Sequence, residues 1–289
     1  MTQQIWLIAR RSIVRTFRQP GTWIPPLTFP LMLMAVNSNG LRAATHLPGF
    51  PTDSFLAFFL PFSFLQGALF ASGIAGVDLA RDIDTGFLNR LALTPVRGSA
   101  LLIGQIGGAV GLGTLQACVY LSVGLAFGVH IDTGVAGAFL ILLLAVLIAT
   151  GWGTLGLWLA LRTGSGEGVQ SQFPLLFFAT FISSMNLPRN LIEVTWFRDV
   201  ATVNPVSYMI EGLRSLVISG WDAQALLLGF GFTLALIAVS LTLAGRQLKV
   251  RMARTGGGRW TWRSGSRTGR SRCCSRTRRC SSRRCSSRS

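Results

Sequence analysis

The sequence predicts an all-α protein that crosses a membrane several times. Half of the 289 residues are hydrophobic and only 13% are charged, about half the charged share of a soluble domain. Uncharged apolar runs of about twenty residues also recur, and about 20 helical residues cross a hydrocarbon core of about 30 Å. A soluble fold has nowhere to put several such runs.

The net charge of +17 is concentrated at one end: residues 255–289 hold eleven arginines and no acid, and without them the charge is +6. That end is built almost wholly from Arg, Ser, Cys, Gly, Thr and Trp. Its composition reads as an out-of-frame ending, with a disordered basic tail drawn to anionic lipid or nucleic acid as the alternative. The reading separates a tail at 251–289 from a membrane domain at 1–250. Cys273, Cys274, Cys280 and Cys285 lie in the tail, without a histidine and without a common zinc spacing. Cys118 stands alone in the body and reads as a small core residue. No function is built on the tail, and no nucleic-acid partner is expected.

The first element is residues 2–18. Ile5, Ile8, Ala9, Ser12, Ile13 and Phe17 recur at helical spacing, while Arg10, Arg11, Arg15 and Arg18 fall mostly on other faces. That pattern fits an interfacial helix, apolar side in lipid and arginines toward headgroups. Pro20-Gly21 ends it. Six spans follow, at about 22–41, 55–77, 101–128, 134–161, 170–187 and 223–245, the first irregular because of Pro25, Pro26 and Pro30. Glycine pairs four apart, Gly104/Gly108, Gly107/Gly111 and Gly124/Gly128, with Ser72/Gly76, predict close helix packing.

Arginine and lysine beside the spans set the orientation. Twelve fall on the side of the N-terminus, the loop after the second span, Arg162 and the segment after the sixth span; four (Arg42, Arg189, Arg198, Arg214) fall on the other. Both termini are therefore expected in the cytoplasm. All ten acids lie in loops or at span ends, which argues against a gradient-driven carrier with an ionisable group at mid-membrane.

Catalytic motifs are missing from the sequence. Lys249 is the only lysine and no Walker loop surrounds it; the two histidines, His46 and His130, form no H-E-x-x-H motif. Gly164-Ser165-Gly166 follows Thr163 rather than the glycine a nucleophile elbow needs, so it reads as a flexible loop.

Two polar segments remain. In residues 81–97, Asp82 or Asp84 is placed to cap a helix carrying Phe87, Leu88 and Leu91 as an apolar stripe, with Thr94-Pro95 as its stop. On the other side, at 188–221, Asn204 caps a short helix with Pro205 in its first turn, and Glu211 and Arg214 are expected to pair at i, i+3.

Asp82-Ile83-Asp84-Thr85-Gly86-Phe87-Leu88-Asn89-Arg90-Leu91-Ala92-Leu93-Thr94-Pro95-Val96-Arg97, followed by Leu101-Leu102-Ile103-Gly104-Gln105, resembles the signature of ABC-2-type transporter permeases. It is most similar to the daunorubicin-resistance branch in actinobacteria. Asn204-Pro205-Val206-Ser207-Tyr208 and Glu211-Gly212-Leu213-Arg214 resemble that family's second signature. The resemblance covers roughly residues 1–250. It implies a non-enzymatic permease subunit in a bacterial plasma membrane, paired as a homodimer with a separate ABC ATPase that binds the ATP and magnesium, and exporting a lipophilic drug, lipid or glycan. It also implies coupling to the ATPase through Asp82, Asp84, Gly86, Phe87, Arg90, Leu91 and Pro95, and an outer-face element carrying Asn204, Pro205, Tyr208, Glu211 and Arg214. The alternative is a membrane-integral assembly or immunity protein with no transport of its own.

Overall fold

The computed structural model describes residues 2–87, 98–185, 189 and 192–256, and every regular element among them is helical. In chain order these are α1 (Thr2–Arg18), α2 (Pro20–Gly40), α3 (Phe55–Asp84), α4 (Gly98–Ala126) and α5 (Gly134–Thr163). There follow α6 (Gly166–Gln170), α7 (Phe173–Phe181), α8 (Thr195–Val203), α9 (Pro205–Arg214) and α10 (Ala223–Gly256). A 3-10 turn, Arg42–His46, and a π-helical turn, Ser215–Ser219, complete the set. Tail residues 257–289 lie outside the described residues.

Among the described residues, four helices are long and apolar enough to cross a membrane: α3, α4 from Ala100, α5, and α10 as far as Arg251. The chain is a multi-pass membrane protein. The other two expected spans look different. α2 is a 21-residue helix carrying three internal prolines. The 170–187 region breaks after Gln170 and again at Ile182, leaving α6 and α7 as short pieces.

α3 is the centre of the bundle: its most apolar window is 89% buried, against 17% for α10 at the periphery. Phe58, Phe59, Phe62, Leu65 and Leu69 of α3 pack with Tyr120 of α4 and with Ile141, Leu144 and Ile148 of α5. The phenylalanines of the second span are therefore mostly core residues. α3 crosses α5 where Gly156 lies so close to Ser72 that no side chain fits between the backbones. Thr154 and Ser240 share a buried hydroxyl–hydroxyl bond that joins α5 to α10. Cys118 contradicts the core reading, since it is exposed on the outside of α4. An apolar run alone does not distinguish a lipid-facing side from a packed one.

The apolar side of α1 also departs from expectation. Ile8, Ala9 and Ser12 lie along the glycines of α4: a Cβ on Gly104 would come within 2.5 Å of Ile8, and one on Gly108 within 2.5 Å of the Ser12 hydroxyl. The glycine row is the seat of α1. Trp6 and Leu7, 65% and 62% exposed, lie off that seat, so α1 has two apolar sides where periodicity predicted one.

The broken geometry of α2 follows from proline chemistry. Pro30 has no N–H, so the Pro26 carbonyl four residues earlier lacks its helical donor. Side chains of α4 replace it: Tyr120 donates to the Pro26 carbonyl at 3.1 Å and Gln116 donates at 3.4 Å.

Candidate functional site: a charged clamp, an outer motif and a cavity

Asp82 and Asp84 lie in the last turn of α3. The Thr85 N–H and hydroxyl both donate to the Arg81 carbonyl, and the Gly86 N–H donates to Ile83. Gly86 has φ +68°, a left-handed conformation that glycine adopts without a Cβ clash, and there the chain turns out of α3. α3 continues for two turns beyond Val77, where the apolar run stops, and the helix that Asp82 or Asp84 was expected to cap continues outside the described residues.

Those contacts form a clamp. Asp82 is only 4% exposed. Its Oδ1 accepts from Arg11 Nη2 at 3.0 Å and from Arg15 Nη1 at 2.9 Å, and its Oδ2 accepts from Gln105 Nε2 at 2.9 Å. Asp78, one turn earlier, lies 3.6 Å from Arg15 and 3.7 Å from Arg81. The carboxylates thus tie three helices together: α1, the end of α3 and the start of α4. Arg11 also stands over the Phe87 ring, 3.9 Å from its centroid. Arg11 and Arg15 were expected to face lipid headgroups. They turn inward because α3 presents two carboxylates beside them, and their i, i+4 spacing on one face of α1 was the available signal. Asp84 is exposed and Gly86 half-buried. Arg90, Leu91 and Pro95 lie outside the described residues.

The motif expected on the outer face is assembled at α9. Asn204 caps it, its Oδ1 accepting from the Val206 N–H at 3.0 Å, and Pro205 occupies the first turn. The Asn204 amide also donates to the Ala179 and Ile182 carbonyls, each at 2.7 Å, and so fastens the end of α7. Glu211 does not take Arg214 as its partner. It accepts from Arg189 at 2.7 Å and from the Ser184 hydroxyl at 3.1 Å. Arg189 in turn stands over the Tyr208 ring at 4.3 Å. Arg214 is buried and turns to neutral groups, donating to the carbonyls of Phe58, Ser184 and Met185 at 3.1–3.4 Å and lying 3.6 Å over the Phe58 ring. Burial pulls its pKa down to about 9, partly offset by Glu211, so it remains charged at neutral pH. Sequence spacing suggested Glu211–Arg214 because it sees only neighbours on one helix; Arg189 and the free carbonyls come from a different stretch of chain.

Between α2, α3 and the α6–α7 pieces lies a cavity of about 490 Å³. Thr22, Pro26, Phe70, Gly73, Val77 and Phe173 are among its walls, and Asp78 and Arg81 stand at its charged end. Ser165, considered above as a flexible loop residue, caps α6 by accepting from the Gly168 N–H at 3.2 Å, after a left-handed Gly164. Among the described residues, no cluster of three His, Cys, Asp or Glu side chains is arranged to hold a metal ion.

The family model for the ABC-2 type transporter matches residues 3–218, from the first turns of α1 through the π-helical turn. The chain belongs to the ABC-2 type transporter family. This permease is 25% identical over 200 residues to the "Probable doxorubicin resistance ABC transporter permease protein DrrC" of Mycobacterium tuberculosis, covering 69% of this chain and 70% of that one. It is 26% identical over 190 residues to the daunorubicin resistance ABC transporter permease protein DrrB1 of Streptomyces coeruleorubidus, covering 61% and 63%. Against ycf38 of Cyanophora paradoxa, described as a transport permease, identity is 24% over 250 residues and 83% of each chain. Family membership makes this permease a membrane subunit for transport rather than a catalytic one. The clamp and the outer motif both lie inside the matched region.

Proposed function

We propose that this permease is the membrane half of an ATP-driven exporter, working with a separate ATPase that binds ATP and magnesium. The observation that carries the reading is the clamp on Asp82. It locks α1 to the end of α3, and the next residues of the chain lead straight into the 81–97 segment. A push on that segment reaches a bound triad of helices rather than a loose loop. Phe87, Leu91 and Pro95 supply its apolar docking surface, while Asp84 and Arg90 set its register against the ATPase. Asp82 transmits the load inward to Arg11, Arg15 and Gln105.

In this reading both termini face the cytoplasm, and α2 and the α6–α7 region join the four long helices to make six crossings. Trp6 and Leu7 rest on the inner leaflet. Two copies pair, and the cavity beside Phe70 and Phe173 receives a lipophilic drug, lipid or glycan. Its walls support that cargo class, since aromatic and aliphatic surface dominates away from Asp78 and Arg81. The outer motif, with Asn204, Pro205, Tyr208, Glu211 and Arg214, holds the far end closed between cycles.

The test is co-purification and transport. The permease is co-expressed with candidate ABC ATPases, and doxorubicin efflux is followed in vesicles with and without ATP. The expected result is a complex that hydrolyses ATP and exports drug, and whose assembly is lost in the Phe87→Ala plus Leu91→Ala variant. Drug movement by the permease alone would overturn the reading. So would a normal complex with the double variant.

A further inference from the structure

We infer that Ser63 and Gln66 of α3 form a polar cargo station behind a ladder of phenylalanine rings, selecting aromatic molecules that carry neutral hydrogen-bonding groups. This deepens the exporter reading and rests on it.

The starting point is an unmade set of bonds. Ser63 and Gln66 are both 0% exposed. Neither the Ser63 hydroxyl nor either polar atom of the Gln66 side chain has a hydrogen-bond partner. Leaving such groups unpaired in a dry interior is costly, and a leucine would fill similar space without that cost. At complete burial within one chain, neither lipid headgroups nor a second copy can supply the bonds from outside.

Helix register places the pair beside the cavity. Phe62 of α3 meets Phe181 of α7, with ring centroids 6.3 Å apart, and Phe70 meets Phe173 at 5.3 Å. The two helices therefore run antiparallel here, and one turn inward from each pair stand Gln66 on α3 and Phe177 on α7. Phe173, Phe177 and Phe181 form one stripe, with centroids 6.0 Å and 4.8 Å apart along it. Ser63 lies a further turn along the same side of α3, since residues three and four apart share a helix face. Phe70 and Phe173 also wall the cavity. Phe70 is also one helical turn from Gln66, so the cavity wall and the unpaired amide are neighbours along α3.

Separation of α7 from α3 would open the cavity toward the amide. α7 is nine residues long, is preceded by the turn at Ser171–Gln172, and is held at its far end by the Asn204 amide. An aromatic cargo would stack between Phe70 and Phe173, then meet an amide that both donates and accepts and a hydroxyl that does the same. No Asp, Glu, Lys or Arg lies on α3 between Phe55 and Val77. The station therefore suits hydroxyl, carbonyl or amide groups rather than carboxylates or phosphates.

The experiment compares pyrene with 1-hydroxypyrene, which share one ring system and differ by a hydroxyl. Full-length permease in lipid nanodiscs is titrated with each, following energy transfer from tryptophan and subtracting empty nanodiscs. The natural chain should prefer 1-hydroxypyrene. Gln66→Leu should weaken 1-hydroxypyrene about fivefold, the worth of one ordinary hydrogen bond, and leave pyrene unchanged. It should also raise the melting temperature of the ligand-free protein, because an unpaired buried amide has been removed. Ser63→Ala, a milder change, should show the same selective loss at smaller size and serves if Gln66→Leu does not fold. Equal weakening of both probes would overturn the station, as would a lowered melting temperature with 1-hydroxypyrene affinity kept. Absence of ATP-driven export with the hydroxyl preference intact would instead overturn the exporter reading and leave the station standing.

Discussion

The carboxylate of Asp82 receives the guanidinium of Arg15 at 2.9 Å, across 67 residues of chain. Arg11 reaches the same oxygen from one turn earlier on α1. One buried acid thus holds a helix that lies far from it in the chain.

Asp82→Asn should loosen α1. The carboxylate accepts two charge-assisted bonds; its neutral replacement takes the counter-charge from Arg11 and leaves Arg15 only the longer 3.6 Å contact with Asp78. A loss of about 2 kcal/mol is expected, below that of a fully buried pair because Arg11 and Arg15 are partly solvated. Hydrogen exchange across Thr2–Arg18 would read it as faster exchange of the α1 amides. Asp84→Asn, at an exposed position, should change stability by no more than about 0.5 kcal/mol. Equal exchange in the two variants would count against the clamp.

Arg214→Lys should destabilise the α7–α9 junction. The guanidinium spans the carbonyls of Phe58, Ser184 and Met185 at once, while an ammonium is a compact charge without that planar reach. A loss of about 2–3 kcal/mol is expected from the unpaired carbonyls. Thermal unfolding in detergent measures it. Glu211→Gln should cost less, since Arg189 retains its contact with the Tyr208 ring. If both variants melt with the natural chain, Arg214 does not hold the junction.

Tyr120→Phe combined with Gln116→Leu should free the Pro26 carbonyl. Tyr120→Phe alone should cost about 1 kcal/mol, because Gln116 remains to donate. The double variant should cost about 2–3 kcal/mol and increase the reactivity of a cysteine placed at Thr22, on the cavity wall. An unchanged labelling rate at that cysteine would show that the α4 side chains do not hold α2.

Much of this architecture is legible in sequence order. Long uncharged runs dictate α3, α4, α5 and α10, because a bilayer accepts only backbones that satisfy their own hydrogen bonds. The N-cap at Asn204 with Pro205 after it was equally readable, since a cap depends on a few adjacent residues. Partner choice was not readable. Arg11 and Arg15 meet Asp82, Glu211 takes Arg189 over Arg214, and Gly104, Gly107, Gly108 and Gly111 of α4 seat α1, while Gly113 and Gly124 pack against α5 and α3. Each of these pairings is decided by which helix packs beside which, and helical periodicity ranks faces only within one helix. The break at Ile182 likewise depends on tertiary structure, since the Asn204 amide takes the Ala179 and Ile182 carbonyls, whereas the start of α7 is local, set by Pro174 in its first turn.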